Sequence, residues 1–162
     1  STLMRSSAAS DVYKRQVYQF RHFNDSRVAV ENLPMINDIT NEIMHGLTPE
    51  MIAEIKDASG CKFCFDFAHA ICAANGLGLR HDDVMAGFAA LKPDMYHLCD
   101  GDINGEDDVH WHYGEGSYDL DKYLARYIAP DALVTMETGG KPAGIQPWIN
   151  DREYIRRLQR QL

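Results

Sequence analysis

"KFCFDF", Lys62 to Phe67, is a short aromatic-rich run that carries a single carboxylate, Asp66, close to its C-terminal end. Its length, its apolar content and Gly60 two residues before it predict a buried strand. Three other runs have the same form: "RVAVEN" (27–32), "MYHLCD" (95–100) and "ALVTMET" (132–138). Each of these also bears a titratable side chain at or near its end, namely Glu31, His97 and Glu137. Their spacing through Asp66 is 35, 31 and 40 residues, each about one strand-plus-helix unit.

Helical patterns fill the intervals. Thr48 before Pro49 and Glu50 predicts an N-cap with a first-turn proline, and Gly60 closes that helix. "HDDVMAGFAALKP" predicts a helix ending before Pro93, and "SYDLDKYLARYIAP" another, starting near Ser117 and ending before Pro130. "NDREYIRRLQRQL" predicts a final helix capped by Asn150 or Asp151, and "GLGLR" (76–80) reads as a loop. Strands alternating with helices imply right-handed βαβ units and a parallel sheet.

An ionisable group at the end of a buried strand is costly unless it is paired or bound to a metal. Four such groups, one per strand, are expected to converge on the C-terminal mouth of a (β/α)8 barrel. A doubly wound open sheet is the alternative, but it gathers its ligand contacts at one switch point. A whole barrel takes about 250 residues, so the fold expected is α/β, the C-terminal half of a TIM barrel with about four βα units.

The first sixteen residues read differently. "SSAASDVYKRQ", Ser6 to Gln16, has the residue order of a translated transposon-type sequencing adapter, so residues 1–16 are expected to be non-native and 17–162 to be the partial barrel domain. Without Arg5, Asp11, Lys14 and Arg15 the chain holds 13 basic and 23 acidic residues, a formal charge of −10. That balance weighs against a nucleic-acid partner, which draws on clustered Lys and Arg. No apolar run approaches the roughly 20 residues of a membrane helix. The four cysteines form no disulfide framework, so a reducing cytoplasm is the expected compartment. Cys61 and Cys64 form C-x-x-C, but residues three apart in a strand face opposite ways and no second pair completes a zinc site, which favours packing. Half a barrel also has open sheet edges, from which self-association is expected.

Glu31, Asp66, His97 and Glu137 together offer three carboxylates and one imidazole. That oxygen-rich set suits Mn²⁺, with Zn²⁺, Mg²⁺ and Co²⁺ as alternatives. Singly, each has a plainer reading: a helix cap for Glu31, a loop turn for Asp66, a satisfied core histidine for His97. His69, three residues after Asp66, falls in the following loop or first helical turn, where it can bind a second metal or a substrate hydroxyl. "DDVHWHYGEG" (107–116) supplies Asp108 and His110 in the loop after the third strand. His112 in the same loop reads as structural or solvent-facing.

The ordered set "VAVEN", "FDFAHA", "YHLCDGD", Asp-x-His with Gly-Glu-Gly, and "VTMET" resembles the C-terminal half of the xylose isomerase-like TIM barrels. That superfamily includes sugar phosphate isomerases and epimerases and, within the AP endonuclease family 2 group, the endonuclease IV enzymes. The resemblance implies that Glu31, Asp66, His97 and Glu137 are metal ligands. It implies an isomerase or epimerase in which Glu31 and Glu137 are the catalytic acid/base pair, working through a metal-stabilised enediolate on a sugar or sugar phosphate. His69 matches a substrate-contacting histidine. An arginine that some epimerases place after the position of His97 has no counterpart in "CDGDING". In the endonuclease IV members, His69, Asp108 and His110 match the ligands of a further zinc in a phosphodiesterase that acts on abasic DNA. The acidic balance favours the sugar enzyme.

Overall fold

The computed structural model describes residues 7–23, 25–37, 39–139 and 144–160. Helix α1 (Ser7–Phe23) is followed by strand β1 (Ala29–Glu31) and helix α2 (Pro49–Ser59), then β2 (Lys62–Asp66), α3 (Phe67–Leu77) and α4 (His81–Ala90). Strand β3 (Met95–Leu98), α5 (Leu120–Tyr127), β4 (Val134–Met136) and α6 (Gln146–Gln159) complete the order. All neighbouring strands pair in parallel, in the sequential order β1-β2-β3-β4. A doubly wound sheet reverses its order at a switch point. These four strands step in one direction only, as the staves of a barrel do.

Register and pleat divide the side chains between two faces. Phe63, Phe65, Tyr96 and Leu98 face the helices, where they join Ile52, Ile55, Ile71, Phe88 and Leu124 in one buried cluster. The rings of Phe65 and Phe67 lie 4.7 Å apart, and Phe65 also meets Phe88 at 5.4 Å. The opposite face carries the chemistry. Pairing aligns Glu31 with Cys64 and Asp66 with His97, and the Glu137 N–H donates to the Leu98 carbonyl just past β4.

Caps act where the sequence places them at α2. Thr48 Oγ1 accepts from the Met51 N–H, and Gly60, at φ +71°, donates its N–H to the Lys56 carbonyl. Helix α4 ends at Ala90, ahead of Pro93. Three expectations need correction. Helix α6 begins at Gln146, with Pro147 in its first turn, so Asn150 and Asp151 are interior residues and not caps. A first-turn proline lacks the N–H that would otherwise go unpaired, which is why the start shifts toward it. Helix α5 begins at Leu120, capped by Asp119 accepting from the Lys122 N–H, while the Ser117 hydroxyl oxygen accepts from the Ile103 N–H. Helix α3 absorbs Gly76 and Leu77 and stops at Gly78, so only the last part of "GLGLR" is loop.

Helix α1 crosses the boundary expected at Val17. Tyr13 donates from its hydroxyl to the Glu54 carbonyl and packs against the core cluster. No helix among the described residues is long and apolar enough to cross a membrane.

Candidate metal centre

Strand β2 ends at Asp66, which is also the N-cap of α3: its Oδ1 accepts from the His69 N–H at 2.7 Å. The other carboxylate oxygen, Oδ2, is buried and has no hydrogen-bond partner. Burial is the main cause that pushes the Asp66 carboxyl up to about 6, with the protonated His69 opposing it. An orphaned carboxylate oxygen in the interior is a costly arrangement that a cation would relieve.

Three more ligand-type side chains gather beside Asp66. His97 Nδ1 lies 2.9 Å from Glu31 Oε1 and 3.0 Å from Glu137 Oε1. The hydrogen bond to Glu31 leads the effects that raise the His97 imidazole above its ordinary range. One donor atom from each of Glu31, Asp66, His97 and Glu137 falls within 4.8 Å of the others. Donors about 2.0–2.2 Å from a common Zn²⁺ or Mg²⁺ must lie within roughly 4.4 Å of each other, so the set fits an ion after a small contraction. All four sequence-predicted residues therefore meet.

The side chains reach across the sheet to meet. Glu31 and Glu137 come from β1 and the end of β4, the two edges of the four-stranded sheet. On a flat sheet those edges would stand about 14 Å apart, three strand spacings. Here both carboxylates touch the same nitrogen of His97.

A second group stands beside the first. His69 Nδ1 lies 2.8 Å from the Asn32 carbonyl, to which it must donate, because a carbonyl only accepts. That bond fixes the tautomer and leaves Nε2, 2.9 Å from Asp108 Oδ2, free to hold a metal when the ring is neutral. Without a metal the ring takes a second proton. Burial opposes that proton, but the charges of Asp66, Asp108 and Glu31 hold the imidazole up at about 10. His110 Nε2 meets the same Asp108 oxygen at 2.5 Å, and the three residues form a compact ligand-type cluster. His110 sits at φ +51°, a conformation a side-chain-bearing residue seldom adopts and one found disproportionately at functional sites. Burial works against the Asp108 charge, yet His69 and His110 hold its carboxyl below the usual range.

The loop that delivers Asp108 and His110 is organised by Asp100, 2% exposed. One Asp100 oxygen accepts from the Gly101 and Tyr118 N–H groups, the other from those of Gly114 and Gly116. At Gly116 an added Cβ would overlap the Gly101 backbone and Asp100 Oδ1. Gly116→Ala is expected to cost about 2 kcal/mol through this overpacking. A urea midpoint within error of wild type would contradict it.

Four residues of the site escape the sequence reading. Asn32, fully buried, donates its side-chain N–H to the Asp66 carbonyl and accepts from the Asp66 N–H, both at 2.8 Å. Cys64 packs, as expected, but its sulfur lies within 4.8 Å of donor atoms of Glu31 and His97. Burial and the nearby carboxylates push its thiol up, so it remains neutral in the floor of the site. Its position two residues before Asp66 on one strand is the available signal. Asp100 and Asp151 are the other two. His112 is structural rather than solvent-facing: its Nδ1 donates to Asp151 Oδ2 at 2.7 Å.

No family model and no curated protein matches the chain. Two solved structures share its fold. One is a D-tagatose 3-epimerase-like protein, at 18% identity and a TM-score of 0.62, with 93% of this chain covering 52% of that one. The other is the TTHB071 protein from Thermus thermophilus, soaked with ZnCl2, at 22% identity and a TM-score of 0.59, with 95% of this chain covering 52% of that one. At these identities the likeness is one of fold: α/β, a TIM-barrel wall of four parallel strands. The chain spans about half the length of each.

Proposed function

We propose that residues 17–162 are the C-terminal part of a divalent-metal-dependent sugar or sugar-phosphate isomerase or epimerase, preceded by a non-native segment over 1–16. The observation that carries the reading is the meeting of Glu31, Asp66, His97 and Glu137, with one Asp66 carboxylate oxygen buried and unpartnered. Its companion is the fold shared with a D-tagatose 3-epimerase-like protein.

Glu31, Asp66, His97 and Glu137 would hold the ion, and Mn²⁺ suits a set with three carboxylates, with Zn²⁺, Mg²⁺ and Co²⁺ as alternatives. The ion would supply Lewis-acid polarisation of a ketose carbonyl and its neighbouring hydroxyl. Glu31 and Glu137 reach the site from opposite sheet edges, which suits removal of a proton on one face of a carbon and its return on the other. Each side chain is about 30% exposed, so an incoming substrate can reach both. Asp66, buried and bound to the His69 N–H, serves as a fixed anchor and not as a proton carrier.

The test is a panel of ketoses and ketose phosphates assayed with the complete protein before and after chelation. Epimerisation that disappears with EDTA and returns with Mn²⁺ is the expected result. Metal-independent turnover, or none on any member, would overturn it. A second reading rests on the His69, Asp108 and His110 cluster, whose chemistry suits a further zinc and hence an endonuclease IV-like phosphodiesterase. Three zincs per complete protein with cleavage of abasic DNA would select that reading over the first.

A further inference from the structure

His112 and Asp151 belong to neither ligand group, yet they lie between them. Asp151, in the second turn of α6, is 2% exposed. Its Oδ1 accepts from the Tyr113 N–H at 3.0 Å, and its Oδ2 accepts from both His112 Nδ1 and the Thr138 hydroxyl. Thr138 adjoins Glu137 of the first group, and His112 lies two residues past His110 of the second. Two backbone contacts reinforce the link: the Gly139 N–H donates to the His110 carbonyl at 2.7 Å, and Trp148 Nε1 donates to the Thr138 carbonyl at 2.9 Å. The Trp148 ring also stands edge-on to the His112 imidazole at 5.3 Å.

We infer that Asp151, His112 and Thr138 form a positioning device that fixes the His69/Asp108/His110 group relative to the Glu31/Asp66/His97/Glu137 group, so that the two can hold a pair of divalent cations. The inference rests on the metal-binding part of the function proposed above. Its physical basis is the helix-borne carboxylate. Asp151 is held in a packed helix, and it receives a donor from each of the two segments that carry ligands. A loop and a strand end that would otherwise move separately are thereby tied to one rigid element. Neither the Asp151 carboxylate nor the His112 ring need touch a metal or substrate to do this. Supporting contacts of this kind change metal affinity by roughly 10–100-fold when removed.

The test is zinc titration of the full 162-residue chain by calorimetry, with Co²⁺ absorption as a report of ligand geometry. Wild type is expected to bind two equivalents. His112→Ala should weaken the second equivalent about 10–100-fold, leave the first within about threefold, and alter the Co²⁺ bands of the second site. His112→Asn keeps a side-chain N–H for Asp151 and should restore the second equivalent to within about threefold of wild type. In a His110→Ala background, which removes the second group, adding His112→Ala should leave the remaining affinity unchanged. A merely structural His112 would lower the melting temperature without separating the two affinities. The inference is overturned if His112→Ala binds both equivalents as wild type does, if His112→Asn is as weak as His112→Ala, or if wild type binds one equivalent only. Wild type that binds no zinc or Co²⁺ would instead refute the metal reading on which the inference rests.

Discussion

Asp66→Asn is expected to abolish the stabilisation that the proposed divalent ion would confer while leaving the metal-free protein more stable than wild type. Both effects follow from the orphaned oxygen. The folded Asp66 carboxyl is raised from an ordinary 3.8 to about 6, so the folded state binds this proton more tightly than the unfolded state does. Stability of the metal-free wild type therefore falls as pH climbs from about 4 through about 6, and the loss persists at neutral pH. A shift of that size corresponds to ~3 kcal/mol. That shift already includes the attraction to the protonated His69. An asparagine amide placed where Oδ2 finds no hydrogen-bond partner is left unsatisfied, which offsets part of the gain and leaves a net of ~1–2 kcal/mol. Oδ1 of an asparagine can still accept from the His69 N–H, so the cap on α3 survives. Melting in EDTA at pH 7.5 should rise by several degrees. Added metal at 100-fold over its dissociation constant should stabilise wild type by about 2.7 kcal/mol and the variant negligibly. A variant that keeps the metal-induced shift would remove Asp66 from the ligand set.

In the epimerase proposed above, Glu137→Gln is expected to lower turnover by the complete protein by about 10²–10⁴-fold, the range that a positioned acid or base contributes. Glutamine preserves the length of the side chain but accepts no proton at Oε1. The change also removes one carboxylate from the ion, so the comparison belongs at saturating Mn²⁺. Exchange in heavy water separates the two effects. With Glu31 intact, one epimer should still exchange its carbon-bound proton with solvent while conversion stops. Loss of exchange from both epimers would indicate a failed metal site, and undiminished conversion would exclude Glu137 as an acid or base.

The strands and their terminal residues are legible in the sequence because they depend on local pattern. A short apolar run, a following helix signal and a titratable residue at the junction recur four times, and parallel pairing then brings Glu31, Asp66, His97 and Glu137 together. Cys64 is legible in principle, since alternation puts it on the face that Asp66 occupies. Asn32 is not: both its side-chain partners are backbone groups of Asp66, 34 positions away. Asp151 reads wrongly as a helix cap because Asp at a predicted helix start is favoured there by propensity. Its actual partners, His112, Tyr113 and Thr138, lie 13 to 39 positions distant and leave no periodic trace. The start of α6 is open to better reading, since Pro147 gives the signal that Pro49 gives for α2. Buried polar residues whose partners are remote backbone groups become visible only when the tertiary structure brings those groups near.

Because donors from the two sheet edges share one histidine nitrogen, an ion held there would act as a clasp on the wall of the barrel. Moving β1 away from β4 would pull Glu31 and Glu137 apart, so ion-binding energy would appear mechanically as resistance to their separation. The coupling would also run in reverse: anything that shifts β1 relative to β4 would loosen the ion, even when every ligand is intact.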